Sequence, residues 1–280
     1  MSDHEHDHQN SSVYPEYTKA RDILSKAVML PRPARIRQIT QESTRVKSFV
    51  LEDCVESVPG QFVMIWQPGL DEKPFSLAND DPLTIVVAQV GPFTTALHNL
   101  QAGNWLWWRG PFGRGYTLPA IYPADCSDSK QTLLLVGGGY GVAPLAFLAR
   151  HARAAGWPVT AIVGARTKGD VILQERFTDL GCQTLICTDD GSTGQQGTAV
   201  DLAERFLQQA ERDEIRIVYG CGPHAMLEAL RAICCEHALP CQLSYEGFMK
   251  CGFGLCGSCA WQGLLICRDG PVLEWSPKKP

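Results

Sequence analysis

The chain has no apolar run long enough to cross a bilayer, so a helical membrane span is not expected. It has no excess of basic residues: the formal net charge is −5, which leaves no electrostatic footprint for nucleic acid. The beginning, Met1-Ser-Asp-His-Glu-His, is charged and lacks the hydrophobic region of a signal peptide, and the expected location is cytoplasmic. No internal repeat is visible. Histidine is scarce beyond the first ten residues. Only His98, His151, His224 and His237 remain, at spacings that suit neither a Ser–His–Asp triad nor a hydrolytic metal site. They are expected to be structural or surface residues.

Twelve cysteines stand out against these absences. In a chain of 280 residues they do not read as the disulfide framework of a small secreted domain. Cys251, Cys256 and Cys259 follow a C-x4-C-x2-C spacing, with Cys267 shortly after. That spacing wraps one small iron–sulfur cluster, as in plant-type [2Fe–2S] proteins. Gly252, Gly254 and Gly257 lie between the ligands, where the absence of a Cβ lets the backbone turn and aim N–H groups at sulfur. A zinc knuckle is the competing reading, although it usually takes two separated C-x2-C pairs. The other eight cysteines are expected to be free thiols.

With 45% hydrophobic residues, the chain can fill more than one core. Residues 1–30 form a polar tail in which His4, His6 and His8 alternate with acids; this reads as a solvated segment, with one short helix expected over 21–29. From 31 to 122, short runs at 34–39, 45–51, 61–66, 83–89 and 104–108 are rich in β-branched and aromatic residues and bounded by Pro, Gly and Asp turns, which predicts a small antiparallel barrel. A polar linker follows near 120–131. From 131 to 242, apolar strand candidates at 132–136, 159–164, 183–187, 215–219 and 241–245 alternate with helical segments, which predicts a doubly wound parallel sheet. Residues 243–280 are expected to be a small cysteine-bearing lobe.

The first strand of the second unit runs into Gly137-Gly138-Gly139-Tyr140-Gly141 and then a helix. Such a turn lets backbone approach a pyrophosphate, although glycines there also serve close helix–sheet packing. Arg166 and Asp170 follow the second strand, and Cys221-Gly222-Pro223 follows the fourth, both at strand ends where open α/β sheets place ligands. Pro223 also suits an ordinary first helical turn. Asp189-Asp190-Gly191-Ser192 reads as an exposed turn.

Taken in order, Lys73-Pro74-Phe75-Ser76-Leu77, Gly110-Pro111-Phe112-Gly113, the glycine run through Leu145, Cys221-Gly222-Pro223 and the cysteine loop resemble the ferredoxin–NADP reductase superfamily. The cysteine loop, Asp71-Glu72-Lys73-Pro74 and the segment from Cys267 to Val272 make the chain similar, more narrowly, to electron-transfer subunits of type B dihydroorotate dehydrogenase. The resemblance spans roughly residues 31 to 275. It implies FAD held by Lys73, Pro74, Phe75 and Ser76, with lysine in place of the family's arginine; an ordinary barrel strand is the other reading of this quartet. Lysine keeps the charge but lacks the bidentate fork. It further implies a phosphate-holding turn at Gly91, Thr94 and Thr95, and a nicotinamide near Gly139, Tyr140 and Cys221, with Ser76 and Cys221 beside the reacting rings.

By the same resemblance, Cys251, Cys256, Cys259 and Cys267 hold the cluster. Arg166 suits a 2′-phosphate, whereas Asp170 beside it and the resemblance favour NAD. The implied partner is an FMN-containing dihydroorotate dehydrogenase catalytic subunit in pyrimidine biosynthesis, in a hetero-oligomer with two subunits of each kind. Phe253, Leu255 and Trp261 are the candidate contacts, with packing of the small lobe as their alternative role. Sibling subunits serving a hydrogenase, a sulfite reductase or an NADH:ferredoxin oxidoreductase share these modules. A redox sensor or zinc scaffold is the non-enzymatic alternative.

Overall fold

The computed structural model describes residues 30–120, 131–211 and 214–276. The histidine tail, the helix expected over 21–29 and most of the linker near 120–131 lie outside them.

Six antiparallel strands close a barrel in the order β1-β2-β5-β4-β3-β6: β1 Arg32–Ser43, β2 Val46–Leu51, β3 Phe62–Gln67, β4 Asp71–Asp80, β5 Leu83–Ala88 and β6 Trp105–Phe112. Five were expected from the sequence, and two of them, β1 and β6, are longer than expected. The sixth, β4, carries the Lys73–Ser76 quartet. Phe49, Leu51, Ile65, Leu77, Ile85 and Trp108 fill the interior, and the Trp108 indole N–H donates to Asp53 Oδ2 at 3.0 Å. Helix α1, Pro92–His98, adds Phe93 and Leu97 to the same core.

The second unit is a sheet in the order β10-β9-β8-β7-β11-β12-β15. Its strands are β7 Thr132–Gly138, β8 Val159–Ala165, β9 Gln183–Thr188, β10 Gln195–Gln196, β11 Ile215–Cys221, β12 Cys241–Ser244 and β15 Val272–Trp275. All neighbours pair in parallel except β12 and β15. The central strands β7, β8 and β11 are largely apolar and buried because both faces are covered, whereas the edge strand β10 is exposed. Leu133 and Leu135 join the core that holds helices α2 (Val142–Ala154) and α3 (Gln174–Asp179). Leu134 and Val136 join the opposite core, with α4 (Ala199–Gln209) and α5 (His224–Glu236).

Between β12 and β15 the chain makes a small lobe containing the hairpin β13 Ala260–Trp261 and β14 Leu264–Leu265, followed by helix α6, Ile266–Asp269. Met249, Cys259, Ile266 and Cys267 form its core together with Phe62, Met64 and Phe112 of the barrel. The lobe therefore packs on the outside of the barrel, and β15 returns the chain to the edge of the parallel sheet.

Barrel and sheet are joined by buried polar contacts. The Tyr116 hydroxyl donates to the Gly220 carbonyl at 2.9 Å, the Tyr219 hydroxyl donates to the Thr117 carbonyl at 2.8 Å, and Gln242 Nε2 reaches Thr117 Oγ1 at 2.7 Å.

Candidate functional site

Two adjoining cavities open where the carboxyl ends of the parallel strands face the barrel, the place where open α/β sheets hold ligands. The first, about 370 Å³, is lined by Lys73–Ser76 of β4, by Gly91–Thr94, by Tyr140 and Gly141, by Cys221 and by Ser244–Gly247 after β12. Met249 of the cysteine lobe also lines it. The second, about 480 Å³, is lined by Gly138–Tyr140, Arg166, Asp170, Asp189, Thr198, Gly222, Pro223 and Met226, with Ser43 and Arg45 contributed by the barrel. Tyr140 lines both and is 46% exposed.

The glycine run packs closely at Gly141 and leaves backbone open at Gly139. At Gly141 a Cβ would lie 2.4 Å from the Cys221 carbonyl oxygen, so close packing of loop against strand end requires that glycine, whereas at Gly138 it would lie 2.6 Å from Met226 Sδ, the end of a flexible side chain that can give way. Gly139 has φ +55° with open space around it, which exposes its backbone at the cavity wall. Gly137 lies within β7 and lines neither cavity.

The quartet on β4 is both a barrel strand and a cavity wall. Lys73 Nζ lies 2.6 Å from Asp71 Oδ2, and this contact, helped by the Glu72 backbone amide, holds the Asp71 carboxyl below its ordinary range. Thr94 Oγ1 accepts from the Val90 and Gly91 amides at 2.9 and 3.0 Å, so its hydroxyl holds the turn itself. Thr95 lines neither cavity; its amide donates to the Gly91 carbonyl at 2.9 Å.

Arg166, Asp170 and Asp189 meet in the second cavity. The Asp189–Ser192 turn is exposed, as expected, but it also braces the loop that carries Arg166: the Lys168 amide donates to Ser192 Oγ at 2.7 Å.

Cys221 is buried, and burial pushes its thiol up to about 12. It is a neutral wall group at neutral pH. Glu246 is a site residue that the sequence reading missed. Its side chain is open to the cavity while protein surrounds it, and this partial desolvation raises its carboxyl above the ordinary range, with a hydrogen bond to Tyr140 acting in the opposite sense. Desolvation, then Glu246, raises Tyr140 in turn. Glu246 follows the end of β12, so the strand-end rule applied to the fifth strand would have found it.

In the cysteine loop, Cys259 and Cys267 sulfurs lie 3.2 Å apart, and Cys251 and Cys256 form a second pair in hydrogen-bonding contact. Backbone amides point at these sulfurs: Gly254 to Cys267 at 3.1 Å, Leu255 to Cys251 at 3.3 Å and Cys267 to Cys259 at 3.4 Å. Gly252, Gly254 and Gly257 take φ of +83°, +87° and +74°, the left-handed region that glycine enters without penalty. Among the described residues, no three His, Cys, Asp or Glu side chains stand ready in a metal-holding group. Four thiols in two pairs, with N–H donors turned toward sulfur, nevertheless fit the donor set of an iron–sulfur group. Cys256 is exposed, and the Ser258 hydroxyl beside it at 3.4 Å brings its thiol down to about 6.

Comparison with known proteins follows the same division of the chain. Residues 246–276 match the iron–sulfur cluster binding domain of dihydroorotate dehydrogenase B, and residues 135–232 match the oxidoreductase NAD-binding domain. The probable dihydroorotate dehydrogenase B (NAD(+)), electron transfer subunit, of Thermococcus kodakarensis is 41% identical over 246 residues, covering 87% of this chain and 96% of the relative. Its counterpart of the same name in Methanocaldococcus jannaschii is 37% identical over 250 residues, covering 89% and 91%. Among solved structures, NADH-dependent reduced ferredoxin-NADP oxidoreductase superposes with a TM-score of 0.74 at 26% identity, over 86% of this chain and 87% of that one.

Proposed function

The chain belongs to the family of dihydroorotate dehydrogenase B electron-transfer subunits, and on that premise we propose that it carries electrons from an FMN-containing catalytic subunit, which oxidises dihydroorotate, to NAD+. It is an oxidoreductase of the flavin- and NAD-binding electron-transfer type. One observation carries the reading: a single cavity is walled by the β4 quartet, by Tyr140 and Cys221 of the nucleotide crevice, and by Met249 of the cysteine lobe. Three modules meet where electrons must pass between them.

The residues fit the groups this reading requires. FAD would be held by Lys73, Pro74, Phe75 and Ser76 and by the Gly91–Thr94 turn, NAD by the glycine run with Arg166, Asp170, Gly222 and Pro223, and a [2Fe–2S] cluster by Cys251, Cys256, Cys259 and Cys267. When bound, flavin exchanges a hydride with nicotinamide and single electrons with iron, which is chemistry that belongs to the cofactors. The chain's own part is orientation and exclusion of water. Phe62, Phe75, Val86 and Met249 give the first cavity apolar walls. Ser76 supplies a hydroxyl donor and Lys73 a cation for phosphate. Asp170 and Asp189 in the second cavity suit a free ribose hydroxyl and disfavour a 2′-phosphate, which supports NAD over NADP.

A catalytic partner would dock over the cysteine loop. Phe248, Phe253 and Leu255 are 65%, 43% and 77% exposed there, as suits the apolar centre of an interface. Trp261 serves the lobe instead: its ring stacks on Tyr245 at 4.9 Å and meets His224 edge-on. Two subunits of each kind remain the assembly proposed.

The test is reconstitution. Mixing the cofactor-loaded chain with an FMN-containing dihydroorotate dehydrogenase catalytic subunit is expected to give dihydroorotate-dependent reduction of NAD+ that neither protein supports alone. If the loaded pair is inactive while the chain alone reduces a ferredoxin with NADH, the sibling reading suggested by the 26%-identical oxidoreductase replaces this one.

A further inference from the structure

One largely buried ion pair, its arginine side chain 9% and its glutamate side chain 20% exposed, lies beneath the contact between the cysteine loop and the barrel. Arg109 on β6 is 9% exposed, and its guanidinium grips Glu72 on β4 with both prongs: Nε to Oε1 and Nη2 to Oε2, each at 2.6 Å. Nη2 also lies 3.5 Å from the carbonyl oxygen of Lys250. The same planar group faces the ring of Phe112 at 5.2 Å and that of Phe253 at 5.9 Å.

The positions matter more than the pair itself. Glu72 immediately precedes Lys73–Ser76, and Lys250 immediately precedes Cys251. One rigid fork therefore joins the residue before the cavity-lining quartet to the residue before the first cysteine. Neither Glu72 nor Arg109 lines either of the two cavities described above. Packing alone would be served as well or better by an apolar pair of the same volume, because taking two charges out of water is costly. A guanidinium does what an apolar pair cannot: it fixes direction through parallel hydrogen bonds and still offers a donor to a third group. Gly252, whose added Cβ would stand 3.1 Å from Met64 Cγ, keeps the loop seated on the barrel beside it.

We infer that Glu72–Arg109 is a positioning clamp that holds the cysteine loop in fixed relation to the β4 quartet, and so sets the gap electrons cross between the two sites. This rests on the function proposed above. Arg109 and Glu72 are positioning residues; neither touches the reacting atoms.

The test compares wild type, Arg109→Met and Arg109→Lys as the full chain with its cofactors. Three quantities are read: hydrogen exchange of the amides at 250–257, the electron paramagnetic resonance line of the reduced cluster, and the rate at which NADH-reduced flavin passes electrons to iron. In Arg109→Met the loop amides should exchange at least about tenfold faster, with the rest of the barrel unchanged. The resonance should broaden, and flavin-to-iron transfer should slow. Arg109→Lys should fall between, since an ammonium keeps the charge but not the fork.

Loop exchange and line shape equal to wild type in Arg109→Met would overturn the clamp. So would exchange that rises equally in barrel, sheet and lobe, which is the mark of a merely structural role. Should Arg109→Met fail to fold, Arg109→Lys decides by the same criteria. If the wild type binds neither flavin nor cluster, the proposed function fails, and loop exchange, which needs no cofactor, still decides the clamp.

Discussion

Cys221 and Cys256 carry the same thiol and receive opposite treatment from their surroundings. Burial lifts Cys221 to about 12, whereas the exposed Cys256 sits beside the Ser258 hydroxyl and falls to about 6. In protein stripped of iron, alkylation at Cys256 should therefore follow a titration with its midpoint near pH 6, while Cys221 stays unmodified through pH 9. Peptide mapping after iodoacetamide at a series of pH values checks this, and a Cys256 that reacts only above pH 8 would contradict it. Cys256→Ser removes one proposed ligand. It should abolish the iron signal yet leave NADH reduction of bound flavin in place, and a full iron complement in that variant would remove Cys256 from the ligand set. Lys73→Ala should weaken FAD retention by about tenfold or more, the value of one charge-assisted hydrogen bond, with iron content intact. Equal flavin in mutant and wild type would take Lys73 out of the site.

At the level of elements, two positions of the glycine run make different demands. Gly139→Ala adds only the left-handed strain of a non-glycine residue, about 1–2 kcal/mol, because nothing lies within 4 Å of the new Cβ. Gly141→Ala drives a Cβ to 2.4 Å from the Cys221 carbonyl oxygen and must part the loop from β11. NADH affinity, measured by flavin bleaching, should fall further for Gly141→Ala than for Gly139→Ala; the reverse order would refute the packing explanation.

The glycine run, the cysteine loop and ten of the strands were legible because each announces itself locally, through a Gly-rich turn, a ligand spacing or an apolar run. The β4 strand was only weakly signalled, as the plain alternative to a cofactor-holding quartet, because the charges and proline of Asp71-Glu72-Lys73-Pro74 argue against a central strand. It is one because closure of the barrel supplies a partner on each side. Strand β15 was hidden because four residues pair only after the whole lobe has returned them to the sheet edge. Glu246 was legible only as a position just past the end of β12, since its contact with Tyr140 spans 106 residues of sequence, and the Glu72–Arg109 pair, 37 residues apart, carries no local signal at all.

For the molecule as a whole, the arrangement is a relay: a barrel and a parallel sheet enclose two joined cavities, and a cysteine lobe leans on the barrel with exposed Phe253 and Leu255 beside its thiols. The central claim is that one chain holds flavin and iron in electronic contact with nicotinamide. It is tested most directly on protein purified without oxygen, by visible spectroscopy with analysis of FAD, iron, acid-labile sulfide and zinc, followed by titration with NADH. The expected result is bound FAD together with iron and sulfide in equal amounts, both chromophores bleaching as NADH is added. A colourless protein that carries zinc, or a flavin that NADH reduces while the iron stays oxidised, would contradict it.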